Sequence, residues 1–244
     1  MISINQVRNT VLFFLEKENR GYIKPQAFNE YANMAQLDIF ENLFFDYNTW
    51  VNRQNRRLTG SEYADIPKNL QEIIDTFSEY TTEANFIYDI ALGYWSYTGN
   101  DHYRDENISL VNSQGKKVDI ELVNKAEINM LVNSNMNAPT LTYPCYTKIA
   151  AYYKIYPTIP VGYKPELFFI RKPKAPKWTF IEISGNPIYN ASASDLQDFE
   201  IPQSLYPKLV NKILLYCGIN LGEREIIEVT NNEEMKKEQQ QKQI

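Results

Sequence analysis

A chain of 244 residues with 43% hydrophobic and 23% charged residues is long enough to bury a substantial core and has the composition of a folded globular protein. Its formal net charge of −5 excludes an overall positive field that would favour nucleic acid or an anionic membrane. The two cysteines, at positions 145 and 217, make no disulfide framework and no zinc-ligand spacing, and both are interpreted as small core residues in a reducing compartment. The apolar run 11–15 is too short for a signal peptide or a membrane span.

Residues 1–80 are predicted to form a helical bundle. After a first helix that ends near Gly21, a long second helix begins at Pro25, because apolar side chains recur at spacings of three and four and so lie on one face. We expect Glu30 and its polar neighbours Asn29 and Asp38 to be exposed. We expect the apolar face to be buried through Phe28, Ala35, Phe40 and Phe44. Antiparallel packing of the two helices predicts a shared aromatic core of Phe13, Phe14, Phe40 and Phe44.

Residues 81–200 are predicted to be rich in β-structure. The aromatic and β-branched stretches 86–95, 147–156, 167–170 and 178–183 are typical of strands. Residues 118–132 have a helix-like pattern, and the frequent prolines predict short or edge strands. Residues 201–244 are predicted to return to helix and to end in a Glu/Lys/Gln-rich tail. The predicted fold class is therefore α+β, with an N-terminal helical bundle, a central β-rich mixed region and C-terminal helices.

Sequence motifs for catalysis or metal binding are absent from the chain. A single histidine, His102, excludes a site that needs two imidazoles, and no phosphate-binding glycine loop or nucleophile elbow occurs. His102 has carboxylates nearby at positions 101, 105 and 106, and the stretch is interpreted as an exposed turn in preference to a metal site. Asp195, Asp198 and Glu200 form a second acidic cluster, interpreted as a loop in preference to the carboxylate pair of a glycoside hydrolase. We expect no enzyme, no catalytic or metal-binding residues and no cofactor.

Tyrosines are crowded into residues 143–163, where they pack a sheet core or form a subunit interface. The second interpretation makes Tyr146, Tyr153 and Tyr163 candidate contacts to another subunit or to a portal. A short amphipathic stretch near the end adds Ile226, Ile227 and Val229 to these candidates. A helix this short needs packing to persist, so the tail is expected to order in an assembly.

Four stretches of the sequence, in a fixed order, together carry a resemblance to a known family. The first is the run GYIKPQAFNEYANMAQLDIFENLFF from Gly21, and the second runs from Pro139-Thr140 through Pro144 to Tyr156-Pro157. The third is the proline-rich run KPKAPKW, residues 172–178. The fourth is DFEIP at 198–202, which is followed by a helix that ends with CGINL at 217–221. This ordered set resembles the ring and adaptor proteins of the head–tail connector in crAss-like phages, tailed phages that infect gut Bacteroidetes. Lys24, at the position before Pro25, departs from the residue types that cap a helix best.

The resemblance implies a structural virion protein, assembled in the host cytoplasm, that forms a ring between portal and tail. The ring is expected to be a dodecamer that contacts the portal and other tail ring proteins. Genomic DNA would pass through it transiently without specific binding, and no membrane is involved. Two other classes stay open: a carbohydrate- or receptor-binding tail protein that stacks sugars on tyrosines, and a carboxylate-dependent hydrolase.

Overall fold

The computed structural model describes residues 1–17, 22–57, 66–81 and 85–220. Helices near both ends of the chain flank several sheets, and this confirms the predicted α+β class. The helices are α1 (Ile4–Lys17), α2 (Pro25–Arg57), α3 (Ile66–Asp75), α4 (Ile128–Val132) and α5 (Tyr206–Asn220), with a 3-10 helix at Gln203–Leu205. The strands are β1 (Ser78–Tyr80), β2 (Phe86–Asp89), β3 (Tyr94–Tyr97), β4 (His102–Val111), β5 (Lys117–Asp119), β6 (Glu121–Leu122), β7 (Cys145–Ile149), β8 (Tyr152–Tyr156), β9 (Lys164–Arg171), β10 (Phe180–Ile183) and β11 (Asn186–Tyr189).

The chain divides into two compact units. The helical unit comprises Met1–Ile73 with Pro173–Ile244, and the β-unit comprises Ile74–Lys172. The three predicted segments, 1–80, 81–200 and 201–244, have different boundaries from these units. The difference arises at residues 173–200, which contact the helices although they follow the strands in sequence.

The core of the helical unit joins α1, α2 and α5. Each helix contributes one apolar stripe at spacings of three and four, and Trp178 and Phe199 complete the cluster. Among the described residues no helix, including the 33-residue α2, is long and apolar enough to cross a membrane. The stripes comprise Ile4, Val7, Val11 and Leu15 of α1, Phe28, Ala32, Ala35 and Ile39 of α2, and Leu209, Ile213 and Cys217 of α5.

The predicted burial along α2 is confirmed for Phe28, Ala35 and Phe40, whereas Phe44 is half-buried. Glu30 is exposed as predicted, but Asn29 and Asp38 are half-buried. The predicted aromatic core with α1 is wrong, because Phe13 and Phe14 are 64% and 43% exposed. The buried stripe of α1 includes positions 4, 7, 11 and 15. At 100° per residue Phe14 falls at the edge of this stripe and Phe13 on the opposite side of the helix.

Two amide side chains of α2 bind the backbone on both sides of the β10–β11 hairpin. The Asn29 side chain accepts from Trp178 N at 2.8 Å and donates to Trp178 O at 3.1 Å. Gln36 donates to Lys174 O at 2.7 Å and accepts from Glu200 N at 3.1 Å. A spacing of seven places both amides on one helix face. Gln36 is polar yet fully buried, and its amide satisfies two backbone groups.

The β-unit contains a four-stranded sheet in the order β1-β9-β4-β5 and a five-stranded sheet in the order β2-β3-β8-β7-β6. All pairings are antiparallel except the short parallel pair β6-β7. Side chains of both sheets form one core together with Ile120, which lies between β5 and β6. The core residues from the strands are Phe86, Ile108, Leu110, Tyr146, Tyr153, Ile155, Leu167 and Phe169. The core is therefore built between the two sheets, as alternation of inward and outward side chains allows.

Two predictions for the β-unit are wrong. Residues 118–132 form β5, β6 and the five-residue α4 instead of one helix, because Val118 and Leu122 pair with strand neighbours. The stretch beginning at His102 is the ten-residue β4 and not an exposed turn. Its pairing with β9 compensates for the many polar residues at the start of β4.

Candidate functional site

The candidate interface tyrosines lie mostly inside the β-unit. Tyr146 and Tyr153 are 6% and 1% exposed and belong to its core, so they have almost no surface to offer a partner in the folded chain. Tyr163 is half-buried and packs against the same core. The prediction of an interface role is therefore corrected for Tyr146 and Tyr153. Both are core residues of a sheet, which is the alternative that the sequence left open. Ile226, Ile227 and Val229 lie outside the described residues.

A charged cluster around Asp105 occupies the space between the two sheets of the β-unit. The register of β4 against β9 shifts on both sides of Asp105, between His102 and Arg104 and again before Asn107. Register shifts of this kind are β-bulges, which change the direction in which a strand side chain points. The Asp105 carboxylate accepts hydrogen bonds from His102 Nε2 at 2.6 Å, from Tyr153 Oη at 2.6 Å and from Lys148 Nζ. It thereby joins β4 of one sheet to β7 and β8 of the other.

The electrostatics of Asp105 show that this cluster stabilises the ionised carboxylate. Burial alone would raise the pKa of Asp105, but the three hydrogen bonds outweigh burial and lower the pKa to about 2. Burial and the bonded carboxylate together raise the pKa of Tyr153. Across the described residues, no group of three or more His, Cys, Asp or Glu side chains is placed to hold a metal ion. The described geometry assigns these four residues to linking the sheets.

The second predicted acidic cluster is dispersed among three separate contacts. Asp195 forms an exposed ion pair with Lys177 at 2.6 Å, which lowers the pKa of its carboxyl. Asp198 accepts from the backbone of Ile4 at 2.8 Å and so caps the beginning of α1. Glu200 accepts from the backbone nitrogen of Lys174 at 2.8 Å. The described contacts bind these carboxylates to different partners, unlike a pair aimed at one glycosidic bond.

Both cysteines are buried and free, as expected for core residues. Burial raises the pKa of Cys217 to about 12, and burial followed by the charge of Glu121 raises that of Cys145. A reactive cysteine needs the opposite shift, toward the thiolate.

An exposed apolar surface lies on the hairpin formed by β10 and β11. Ile181 stands directly opposite Ile188 in the antiparallel register, and Ile183 follows two residues along the same face. These three side chains are 53%, 48% and 55% exposed in the order named. The other face of the hairpin presents Phe180 and Tyr189, which both stack on Trp178. We name the surface of Ile181, Ile183 and Ile188 the isoleucine face.

Sequence reasoning missed the isoleucine face although the signal was present. Residues 178–183 alternate between two apolar sets, one with Trp178 and Phe180 and one with Ile181 and Ile183. Alternation identifies the two faces of a strand but not which face is buried when both are apolar. No protein-family model matches the chain and no curated protein is significantly similar to it, so the site rests on its geometry.

Proposed function

We propose that this chain is a structural virion protein that forms a ring, expected to be a dodecamer, in the connector between portal and tail of a tailed phage. The isoleucine face carries the proposal. Exposed apolar patches mark contact surfaces, and this one lies on a hairpin whose other face is already packed on Trp178. In a ring each subunit contacts the next through two different surfaces. The isoleucine face is the proposed first surface.

The positions of the resembling stretches support the proposal. Three of the four lie within the helical unit, where Phe28, Trp178 and Phe199 share one core. The side chains of Asn29 and Gln36 bind the backbone of the third and fourth stretches. Residues that carry the resemblance thus contact one another although up to 164 positions separate them in sequence. Three of the resembling stretches therefore belong to one structural unit.

The charge of the chain is compatible with the passage of DNA. A formal net charge of −5 in every subunit gives a ring that tends to repel phosphates. Repulsion lowers non-specific binding, which is mainly electrostatic. The genome would therefore slide through such a ring without being retained.

The test of this proposal is a charged substitution in the isoleucine face. Ile181→Asp introduces a carboxylate at the centre of the proposed contact and is expected to abolish ring formation on the purified portal. The isolated chain should keep its melting temperature, because the side chain faces solvent. Ile90→Asp is the matched control, since Ile90 is 87% exposed in the β-unit. Assembly of both variants at the wild-type level would refute the isoleucine face as the contact.

The tail from Gly222 to Ile244 is proposed as a second contact, through Ile226, Ile227 and Val229. Truncation after Leu221 is expected to weaken joining to the portal, measured by co-sedimentation of the two proteins. Unimpaired binding of the truncated chain to the portal would show that the tail is dispensable. The ring proposal would then rest on the isoleucine face alone.

A further inference from the structure

Arg8 is a buried cation for which the described part of the chain provides no carboxylate. It lies on α1 and is 6% exposed. Its Nε is the buried side-chain nitrogen that lacks a hydrogen-bond partner among the described residues. Buried charges in proteins are normally paired, because their removal from water is costly. The site is independent of the isoleucine face and of the ring proposal.

The surroundings of Arg8 cover the face of its guanidinium and leave part of its edge without an acceptor. The guanidinium carbon lies 3.9 Å from the centroid of the Trp178 ring. Trp178 donates its indole N–H to Asn5 at 3.0 Å, so Asn5 already has a partner. Along the edge, Nη2 donates to Tyr22 Oη at 3.3 Å, a long hydrogen bond. Nε and Nη2 form one side of the guanidinium, where two parallel N–H groups match a carboxylate.

Electrostatics agree with an incompletely compensated charge. Burial lowers the pKa of the Arg8 guanidinium from its ordinary value, and the neighbouring Tyr22 opposes that shift. Stacking on the indole supplies some stabilisation of the cation. It supplies no acceptor to Nε.

We propose that the Nε and Nη2 edge of Arg8 is a receptor site for a carboxylate from outside the subunit. A planar carboxylate matches the two parallel N–H groups of this edge. The negative charge of the chain also disfavours a polyanion such as nucleic acid. Nε is buried in the free chain, and Tyr22, which bonds Nη2 and is 58% exposed, is the side chain that must move aside for the incoming oxygen. The ligand is a free small carboxylate or an acidic side chain of a second copy.

The Nε–H signal of Arg8 in a proton–nitrogen NMR spectrum of the full chain reports on this site directly. In dilute protein, sodium acetate is expected to move the signal downfield in a saturable way, and sodium chloride at equal ionic strength is not. A separate arm raises the protein concentration without acetate. A shift in that arm assigns the site to a carboxylate of a second copy, and a shift with acetate alone assigns it to a free carboxylate.

Two variants separate the site from general salt effects. Arg8→Lys keeps the charge but removes the two-pronged edge, so its spectrum should lose the signal and its response. Arg104→Met removes an exposed arginine of β4 and should leave the Arg8 response intact. If Arg8→Lys does not fold, through-bond correlation assigns the signal in the wild type and the titrations remain decisive. No change in either arm, or equal effects of acetate and chloride, would overturn the proposal.

Discussion

At the scale of single residues, Asp105 shows how a polar group is placed inside a β-sheet unit without destabilising it. Three donors from three different strands converge on one carboxylate, so the cost of burial is met by charge-assisted hydrogen bonds. His102 and Lys148 supply two of these donors and Tyr153 the third. The cluster therefore stabilises the pairing of the two sheets only while the carboxylate is ionised.

Asp105 should make the stability of the chain depend on pH in acid. Its folded-state pKa of about 2 lies below the ordinary unfolded value of about 3.9, so its stabilisation is complete above about pH 4 and is lost as the pH falls toward 2. The difference corresponds to about 2–3 kcal/mol for this 15% exposed side chain. Urea unfolding from pH 2 to pH 6 should show this slope in the wild type and much less of it in Asp105→Asn. Glu106→Gln, an exposed neighbour, should keep the slope; an unchanged slope in Asp105→Asn would contradict the role of Asp105.

Gln36 should contribute to stability through the backbone groups that it binds. Gln36→Ala leaves the carbonyl of Lys174 and the amide of Glu200 without this partner, and we expect a loss of about 1–3 kcal/mol in the free energy of unfolding. The control is Asn33→Ala on the same helix, a half-buried position expected to change the free energy by less than about 0.5 kcal/mol. Equal losses in the two variants, measured by denaturant unfolding, would show that the two hydrogen bonds contribute little.

At the scale of the element, α2 is an amphipathic helix with one buried and one exposed side. Phe40 is 1% exposed, whereas Phe45 is 64% exposed on the opposite side. Phe40→Ala should therefore cost about 3–5 kcal/mol in the free energy of unfolding. Phe45→Ala should cost less than about 1 kcal/mol, because little packing is lost there. A loss below 1 kcal/mol for Phe40→Ala in chemical denaturation would show that this face is not a tight core.

Helices could be predicted here because the 3.6-residue period records burial on one side of the element. The strand β4 could not, since its first half is polar and its partner β9 lies more than 50 residues away in sequence. The placement of Gln36 and of the segment around Trp178 also depends on hydrogen bonds between distant parts of the chain. Periodicity does not encode such partners. For the same reason the sequence shows that tyrosines are crowded at 143–163, but it does not predict which of them are buried and which are exposed.

At the scale of the whole molecule, the chain combines two units with different tasks in the proposed ring. The helical unit holds the stretches that carry most of the resemblance, the isoleucine face and the buried Arg8. The β-unit is stabilised internally by its two sheets and the Asp105 cluster. The isoleucine face, the contact surface proposed for assembly, is thus placed on a unit that has its own core. A subunit with this organisation can fold first and assemble afterwards.

The central claim, that the chain is a connector ring, is tested most directly by the mass of the full-length protein alone and in the presence of the purified portal. The proposal predicts a monomer alone and, on the portal, a closed ring whose added mass is a whole multiple of the 28.6 kDa chain, expected to be twelve copies. A stable trimer in isolation, which is typical of a tail fibre or spike, or a failure to bind the portal at all, would contradict it.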